Sequence, residues 1–325
     1  MNLHEKALKW AKQYLLSHKQ STTLRHRIVV ETSYSVVYQL ETTHDTIYVK
    51  QVPKALFLES QTLHFLHQHA CKNTPEIIAE NAGLNCFMMT ACGSISLRHL
   101  FNEEVNIDQL KQGILNYTNI QRLLENKITP LLSLGIPDWR LAHFPGLYEK
   151  LIQQDDLLIG DGLTTKEVEQ LRQHYPTVVK LCSDLASYKI PETLGHCDFQ
   201  YNNMLLDKKT GEICIIDWAE TVITHPFFSL NGCLWNLTYF NAVKQTEQKY
   251  TLLQSACIVP WIVDYEEISL LKAFDLANQL LGIHAALAYQ RIYMATHAQQ
   301  KTVQQEHPGS IAGCLRTFLK TSKQI

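Results

Sequence analysis

Residues 196–203, His-Cys-Asp-Phe-Gln-Tyr-Asn-Asn, are followed a short distance later by residues 215–218, Ile-Ile-Asp-Trp. The two stretches contain a carboxylate at Asp198, an amide at Asn203 and a second carboxylate at Asp217. A group that takes the proton of an attacking hydroxyl and two oxygen ligands for Mg²⁺ are what a phosphoryl-transfer site needs. The combination therefore indicates phosphoryl-transfer chemistry.

The residues between Asn203 and Asp217 predict a β-hairpin. Residues 204–206 are apolar, residues 207–211 (Asp-Lys-Lys-Thr-Gly) have turn chemistry, and residues 212–216 are β-rich. Such a ribbon returns both polar residues to one point in space, and hard oxygen ligands suit Mg²⁺. An alternative interpretation is that the polar residues of the first stretch only cap a turn, as Asp and Asn often do.

A lysine upstream closes a predicted strand. Residues 47–50, Ile-Tyr-Val-Lys, end a β-branched and aromatic stretch, and residues 41–45 break that stretch into two strands. Lys50 would then lie on a third strand and present its ammonium group to the phosphates of a nucleotide. Residues 56–69 predict a helix, in which Glu59 is the best candidate to pair with Lys50. Alternatively, Lys50 is an ordinary lysine of an edge strand.

The chain resembles the aminoglycoside phosphotransferase and choline kinase branch of the protein-kinase-like superfamily. The histidine, Asp198 and Asn203 have the spacing of the kinase catalytic loop, H-x-D-x-x-x-x-N. The resemblance implies that Asp198 is the catalytic base and that Asn203 and Asp217 bind Mg²⁺. It also implies that Lys50 and Glu59 form a phosphate clamp.

The same resemblance places the nucleotide between two further segments. The loop containing Ser33 and Ser35 resembles the nucleotide loop, but it has no glycine, so phosphates would meet hydroxyls and backbone amides. The backbone of residues 88–91, with Met89 and Ala91, would be the adenine hinge. ATP or GTP and Mg²⁺ are the implied cofactors.

The resemblance also implies a role for one histidine, and two further features depart from the family pattern. His196 would be a scaffold residue and not a base. Ser229 stands where many relatives carry an aspartate after the metal loop. Nine positions separate Lys50 from Glu59, which is fewer than in protein kinases.

The resemblance implies an α+β, two-lobed, protein-kinase-like fold with a small β-rich N-lobe and a larger, mainly helical C-lobe, and the order of the predicted elements agrees with it. Residues 1–92 would form the nucleotide-binding lobe, and residues 93–325 the helical lobe with the catalytic loop and the acceptor site. Residues 1–20 resemble an amphipathic helix, which is predicted to dock on the fold, with a membrane-surface role as the alternative. Residues 276–288 predict a buried helix that is too short and too polar to span a bilayer.

Composition agrees with a soluble enzyme of two lobes. The chain has 325 residues, 46% of them hydrophobic, and a net charge of -2, so it has no electrostatic signature of nucleic-acid binding. Nine cysteines are scattered without a C-x-x-C pair. Those lying in apolar or catalytic-core surroundings are predicted to be free and to favour a reducing cytoplasm over a disulfide framework. They are Cys86, Cys197, Cys214 and Cys233.

The sequence thus predicts an ATP- or GTP- and Mg²⁺-dependent O-phosphotransferase that acts on a hydroxyl of a small molecule, either aminoglycoside-like or a metabolite. The alternative is a non-catalytic nucleotide-binding regulatory protein with the same fold. A polycationic acceptor would need acidic residues, which residues 264–267 (Asp-Tyr-Glu-Glu) could supply, although they also suit a helix start. No stable membrane insertion is predicted, and the sequence does not specify an oligomeric state.

Overall fold

A computed structural model describes residues 2–18, 25–43, 45–101, 104–296 and 300–322. Its N-terminal part contains α1 (Leu3–Ser17), β1 (Arg25–Glu31), β2 (Val36–Glu41), β3 (Thr46–Gln51), α2 (Leu58–Gln68), β4 (Ile77–Asn81) and β5 (Cys86–Thr90). The predicted third strand and the helix that follows it are therefore confirmed. Met1, residues 19–20 and His44, which belong to the predicted first helix and strand break, lie outside the described residues.

The five strands of this part form one antiparallel sheet in the order β1-β2-β3-β5-β4. Helix α1 packs on the sheet through Ala7, Ala11 and Leu15, which are fully buried. Their spacing of four residues places them on one face of the helix. The predicted docking helix is confirmed, and β3, which carries Lys50, lies in the centre of the sheet.

The remaining elements are mainly helical. They are β6 (Ile95–Ser96), α3 (Leu97–Leu100), α4 (Ile107–Leu124), α5 (Ile128–Ser133), α6 (Phe144–Ile152), α7 (Asp155–Gly160), α8 (Thr165–Gln173), α9 (Tyr175–Ala186), β7 (Thr193–His196), β8 (Met204–Leu206), β9 (Ile213–Ile215), β10 (Thr221–Thr224), α10 (Phe227–Asn241), α11 (Gln248–Ile258), α12 (Glu267–Ala295), α13 (Gln300–Glu306) and α14 (Ser310–Thr321). Short 3₁₀ turns span Lys54–Leu56, Tyr201–Asn203, Trp218–Glu220 and Val259–Trp261.

The 29-residue helix α12 runs through the core of the C-terminal part. It packs against α9, α10 and α14, and its buried side chains include Leu280, Ile283 and Leu287. The buried helix predicted over residues 276–288 lies within it, so that prediction is confirmed. None of the described helices is both long and apolar enough to cross a membrane.

Two small sheets carry the segment that contains Asp198, Asn203 and Asp217. Strand β7 pairs with β10, and β8 lies between β6 and β9. Met204 of β8 pairs with Ile215 of β9, and Gly211 takes a positive φ of 77° in the turn between them. Glycine adopts this left-handed conformation without steric cost. The predicted hairpin is thus confirmed.

Cys92 and Cys214 form a disulfide bond, with their Cα atoms 5.8 Å apart. The prediction that Cys214 is a free thiol is therefore wrong. The two residues are 122 positions apart in sequence, and only the fold brings the linker after β5 against the β8–β9 hairpin. The other seven cysteines are free, and burial raises the pKa of thiols such as Cys86, to about 12. Cytoplasmic location stays a prediction.

Candidate active site

Lys50, near the end of β3, pairs with two carboxylates from different parts of the chain. Its Nζ lies 2.7 Å from Oε2 of Glu59 in α2 and 2.6 Å from Oδ1 of Asp217 after β9. Only 5% of Lys50 and 1% of Glu59 are exposed, so this cluster interacts in a medium of low dielectric. Burial opposes the charge of Lys50, but Asp217 and Glu59 outweigh it and raise its pKa. The lysine is therefore held as an ammonium ion.

Glu59 also contacts the segment that follows β9. It lies in the first turn of α2, which follows the 3₁₀ turn after β3 almost directly. Its Oε1 accepts a hydrogen bond from the backbone N–H of Trp218 at 3.1 Å. The short spacing from Lys50 is sufficient because the chain passes from strand to helix with so few residues. Glu59 thus fixes both the lysine and the residue next to Asp217.

Asp217 is held in a left-handed backbone conformation, with φ 65° and ψ 56°. This conformation is rare for residues other than glycine, although Asp and Asn adopt it more readily than most. About 45% of its side chain is exposed, so the carboxylate can contact a ligand in addition to Lys50. Burial would raise its pKa, but Lys50, by its charge and its hydrogen bond, lowers the pKa below the usual value. Asp217 is ionised.

Asp198 lies between β7 and the 3₁₀ turn Tyr201–Asn203, and both of its carboxylate oxygens are hydrogen-bonded. Oδ1 accepts from Nε2 of Gln200 at 2.6 Å, and Oδ2 accepts from Nδ2 of Asn203 at 2.7 Å. Burial, together with the nearby charge of Asp217, raises its pKa to about 6. A group of this pKa in a fixed orientation can accept a proton near neutral pH.

Asn203 is placed beside Asp217 by the hairpin. The backbone N–H of Ile216 donates to the carbonyl of Asn203 at 3.0 Å, directly before Asp217. Its Nδ2 donates to Asp198, and none of the hydrogen bonds found among the described residues uses its Oδ1. One amide oxygen and one ionised carboxylate are hard ligands, and this donor set fits Mg²⁺.

His196 is fully buried and joins the loop that carries Asp198 to the hairpin. Its backbone N–H donates to the hydroxyls of Tyr117 at 2.9 Å and Ser229 at 3.0 Å, and its Nε2 contacts the carbonyl of Ile216 at 3.0 Å. Burial lowers the pKa of His196, so the ring is neutral and donates from Nε2. Ser229 therefore supports the loop from the position where the resemblance anticipates an aspartate.

Ser33 and Ser35 lie in the turn between β1 and β2, next to the end of β3 that carries Lys50. Ser35 closes the turn by donating its N–H to Oγ1 of Thr32 at 2.9 Å. Ser33 donates its N–H at 2.9 Å and its hydroxyl at 2.8 Å to the carboxylate of Glu306 in α13. An anionic group of the chain itself thus occupies both donors of Ser33.

Met89 and Ala91 lie at the other end of the same strands. Met89 pairs with Tyr48 in the sheet, two positions after Phe87, which is the partner of Lys50. The N–H of Ala91 donates to the carbonyl of Thr46 at 3.3 Å, which is longer than a typical hydrogen bond of this kind. Met89 and Ala91 are therefore on the sheet that carries Lys50, but they lie at the opposite end of it from Lys50.

The sequence model of the phosphotransferase enzyme family matches residues 29–255. This range is more than half of the chain and includes Lys50, the catalytic loop and Asp217. The chain belongs to the phosphotransferase enzyme family. A search of curated proteins finds no significant sequence match.

Solved structures agree in fold. An ethanolamine kinase from Plasmodium vivax is similar with a TM-score of 0.66 and 11% identity, over 96% of this chain and 87% of that one. The choline kinase LicA from Streptococcus pneumoniae gives 0.55 and 13%, over 98% and 99%. The aminoglycoside phosphotransferase APH(3'')-Id from Streptomyces rimosus gives 0.51 and 13%, over 82% and 98%. The predicted two-lobed, kinase-like fold is confirmed.

Glu220 is a residue of this phosphotransferase that sequence reasoning missed. It ends the 3₁₀ turn that follows Asp217, and burial, together with the charges of Asp198 and Asp217, raises its pKa to about 8. Arg291 donates to the carbonyls of Ala219 at 3.3 Å and Thr221 at 2.8 Å, and so fixes the backbone on both sides. The sequence could have indicated Glu220, because it is an acidic residue only three positions after Asp217.

A cavity of about 570 Å³ opens beside Asp198 in this phosphotransferase. Tyr34 of the loop between β1 and β2, Asp198 and Glu220 line one part of it, and α10, α12 and α14 contribute most of the other lining residues. Lys50 is not among the lining residues. The cavity is therefore placed to hold the group that meets Asp198.

Proposed function

We propose that this phosphotransferase transfers the γ-phosphoryl group of ATP or GTP to a hydroxyl of a small molecule, with Mg²⁺ as cofactor. The observation that carries the proposal is the double contact of Lys50, which joins Glu59 and Asp217 at 2.7 and 2.6 Å. A purely structural ion pair needs only one partner for the lysine. The second carboxylate, that of Asp217, is about 45% exposed and lies beside Asn203, where phosphoryl transfer needs a ligand for its metal ion.

In the proposal, Asp198 accepts the proton of the substrate hydroxyl. Gln200 and Asn203 hold its two oxygens in place through hydrogen bonds of 2.6 and 2.7 Å, so little orientation is lost when the hydroxyl binds. The pKa of about 6 keeps most of Asp198 ionised at neutral pH and close enough to that pH for proton transfer. His196 acts only on the loop backbone.

Asp217 and Oδ1 of Asn203 would hold the metal. Mg²⁺, when bound there, would offset negative charge on the phosphates. Asp217 contributes its ionised carboxylate, and Lys50, its present partner, contributes an ammonium ion that can turn to a phosphate oxygen. The buried Glu59 keeps Lys50 oriented throughout.

The nucleotide would lie between residues 1–92 and 93–325, which we propose as the two lobes. Lys50 and Glu59 would act at the phosphates, the turn with Ser33 and Ser35 would cover them, and the hinge at Met89 and Ala91 would meet the base. The long hydrogen bond of Ala91 to Thr46 is weak enough to be exchanged for one to the base.

The metal assignment is tested by replacing Asp217 with asparagine. We expect the Kd of the nucleotide in the presence of Mg²⁺ to rise at least about tenfold, because a ligand of the ion loses its charge. Binding of the nucleotide without metal should change far less. Isothermal titration calorimetry with and without Mg²⁺ measures both quantities.

Asp207→Asn is the matched control, since Asp207 lies in the exposed turn of the same hairpin and asparagine also suits turns. Its Mg²⁺-dependent binding should equal that of the wild type. An equal loss of affinity with and without Mg²⁺ in Asp217→Asn would make Asp217 structural. A protein that binds nucleotide but never transfers phosphate to any hydroxyl would support the regulatory alternative.

A second prediction concerns Glu306, whose carboxylate occupies the N–H and hydroxyl of Ser33. A nucleotide phosphate that uses the same donors must displace it. We expect Glu306→Ala to lower the Kd of ATP by about 3- to 10-fold, the equivalent of one modest hydrogen bond. Glu80→Ala, which removes an exposed charge on β4, should leave the Kd unchanged. Weaker binding in Glu306→Ala would mean that the contact holds the loop in its nucleotide-binding form.

A further inference from the structure

The size of the cavity beside Asp198 indicates what kind of acceptor it can hold. Its volume of about 570 Å³ lies in the range of sites that enclose drug-sized molecules. A short amino alcohol would fill only a small part of that space and would leave apolar wall in contact with water. The size therefore favours an acceptor with a substantial body behind the reacting hydroxyl.

The charge around the cavity does not suit a polycation. Its acidic side chains are Asp198 and Glu220, and Arg98 lines the same space with a positive charge. The acidic stretch at residues 264–267 is not part of the lining: Asp264 pairs with Arg122, and Glu266 precedes α12. The interpretation of that stretch as a helix start is therefore the correct one. Since a pKa of about 8 leaves Glu220 largely protonated at neutral pH, the cavity can balance at most one positive charge on the acceptor.

Aromatic side chains on α10 cover one wall. The rings of Trp235 and Tyr239 are stacked with centroids 4.9 Å apart, and Phe240 packs edge-on against Tyr239 at 5.0 Å. The guanidinium of Arg98 lies 4.7 Å from the centre of the Phe240 ring. Trp235 and Tyr239 are 42% and 67% exposed, which is unusual for large rings lining a concave site. An apolar or ring-bearing ligand would cover them.

One residue of the cavity lining carries a buried polar atom without a partner. His284 of α12 lines it and is only 2% exposed, and its ring stacks on Phe228 at 4.7 Å. Among the described residues, Nε2 of His284 finds no hydrogen-bond partner. Unpaired buried polar atoms are uncommon in native proteins and often mark a place where a ligand or water binds. Burial lowers the pKa of His284 to about 3, so the ring is neutral and suits an uncharged polar group.

We propose that the acceptor is an alcohol with a largely apolar, ring-bearing body and at most one positive charge, and that an uncharged polar group on that body bonds Nε2 of His284. The proposal rests on the proposed function, because it takes Asp198 as the group that meets the reacting hydroxyl. The body of the acceptor lies between α10, α12 and α14 and covers the rings of Trp235 and Tyr239. Polyamino sugars and short amino alcohols are excluded as preferred acceptors.

Two glycines allow the cavity to be filled without disturbing the fold. Gly232 in α10 and Gly313 in α14 both line the cavity, and a Cβ at either would meet no atom within 4 Å. Gly146 in α6 has the same open surroundings but does not line it. Leucine at each position also favours the helix. Gly146→Leu is therefore a matched control for Gly232→Leu and Gly313→Leu.

The experiment measures phosphorylation and calorimetric binding of naphthaleneethanol, hydrocortisone, choline, ethanolamine and kanamycin by the wild type and these three variants. We expect the two ring-bearing alcohols to bind and react best. Gly232→Leu and Gly313→Leu should lower kcat/KM for them at least about tenfold, while the Kd of ATP and acceptor-free ATP hydrolysis stay unchanged. Gly146→Leu should match the wild type.

His284→Phe keeps the stacked ring and removes Nε2. We expect it to raise the KM for hydrocortisone, which has polar groups on its body, about 3- to 10-fold with little change in kcat. The KM for naphthaleneethanol, which lacks such groups, should stay the same. This split would not follow from a general loss of stability.

Several outcomes would overturn the inference. Preference for kanamycin, choline or ethanolamine, absence of binding by both ring-bearing alcohols, or full activity in both cavity-filling variants would each do so while ATP binding and hydrolysis persist. Absence of ATP binding and hydrolysis in the wild type would instead contradict the proposed function itself.

Discussion

Asp198→Asn is expected to lower kcat for phosphoryl transfer by about 10²- to 10⁴-fold, because it removes the group that accepts the proton of the attacking hydroxyl. The Kd of the nucleotide with Mg²⁺ should change little, since Asp198 contacts neither Lys50 nor the amide oxygen of Asn203. Steady-state kinetics and calorimetry on the same preparation measure the two effects.

Gln200→Ala separates the role of the base from that of its support. Gln200 donates one of the two hydrogen bonds that orient the carboxylate of Asp198, at 2.6 Å. Its loss should lower kcat less than the loss of the base, because Asn203 still holds the other oxygen. Turnover near the wild-type value in Asp198→Asn would remove Asp198 from the mechanism, and an equal effect in both variants would point to loop geometry as the common cause.

The parts of the site that the sequence predicted are those in which a local pattern fixes the geometry. The strand ending near Lys50 and the helix with Glu59 follow from periodicity and β-branched composition. The hairpin between Asn203 and Asp217 follows from two short apolar runs around a turn. Each of these signals lies within about twenty residues, so pairing and register are set by neighbours in sequence.

The parts that the sequence did not predict depend on distant segments. Glu306 reaches Ser33 across 273 positions, and Cys92 reaches Cys214 across 122. No local pattern marks either contact, because each arises from the way the C-terminal helices or the linker pack on another element. Composition predicted free cysteines. That prediction is wrong for this pair because a disulfide depends on the distance between two thiols in the fold, and composition does not report that distance.

The acceptor cavity was also not predicted from the sequence, because segments that are distant in sequence form it. Its walls come from α10, α12 and α14, and each helix contributes side chains that look like ordinary core or surface residues in sequence. Trp235 and Tyr239 are four positions apart on α10, a spacing that a helix converts into stacked rings. Only the packing of the three helices shows that these rings line a cavity and do not pack against another part of the chain. Substrate class is therefore inferred from tertiary structure and not from motifs.

Lys50→Met is expected to lower kcat/KM for ATP by about 10²-fold or more, because it removes the cation from the phosphates and misplaces the groups that depend on it. It also leaves Glu59, 1% exposed, as a buried carboxylate without its partner. Breaking a buried pair in this way typically costs about 3–5 kcal/mol of stability. Thermal unfolding should therefore show a large loss of stability, and steady-state kinetics should show a large loss of kcat/KM.

The double variant Lys50→Met with Glu59→Gln separates these two losses. Glutamine removes the buried charge and keeps an oxygen for the N–H of Trp218, so the melting temperature should recover much of what Lys50→Met lost. Activity should not recover, and it should be close to that of Lys50→Met alone, since residues acting as one unit have non-additive effects. Glu59→Gln alone should reduce kcat/KM less than Lys50→Met, because the lysine remains and keeps its contact with Asp217. If activity returned together with stability, Lys50 would stabilise the fold and would not act on the phosphates. If stability returned without activity, Lys50 would act in phosphoryl transfer.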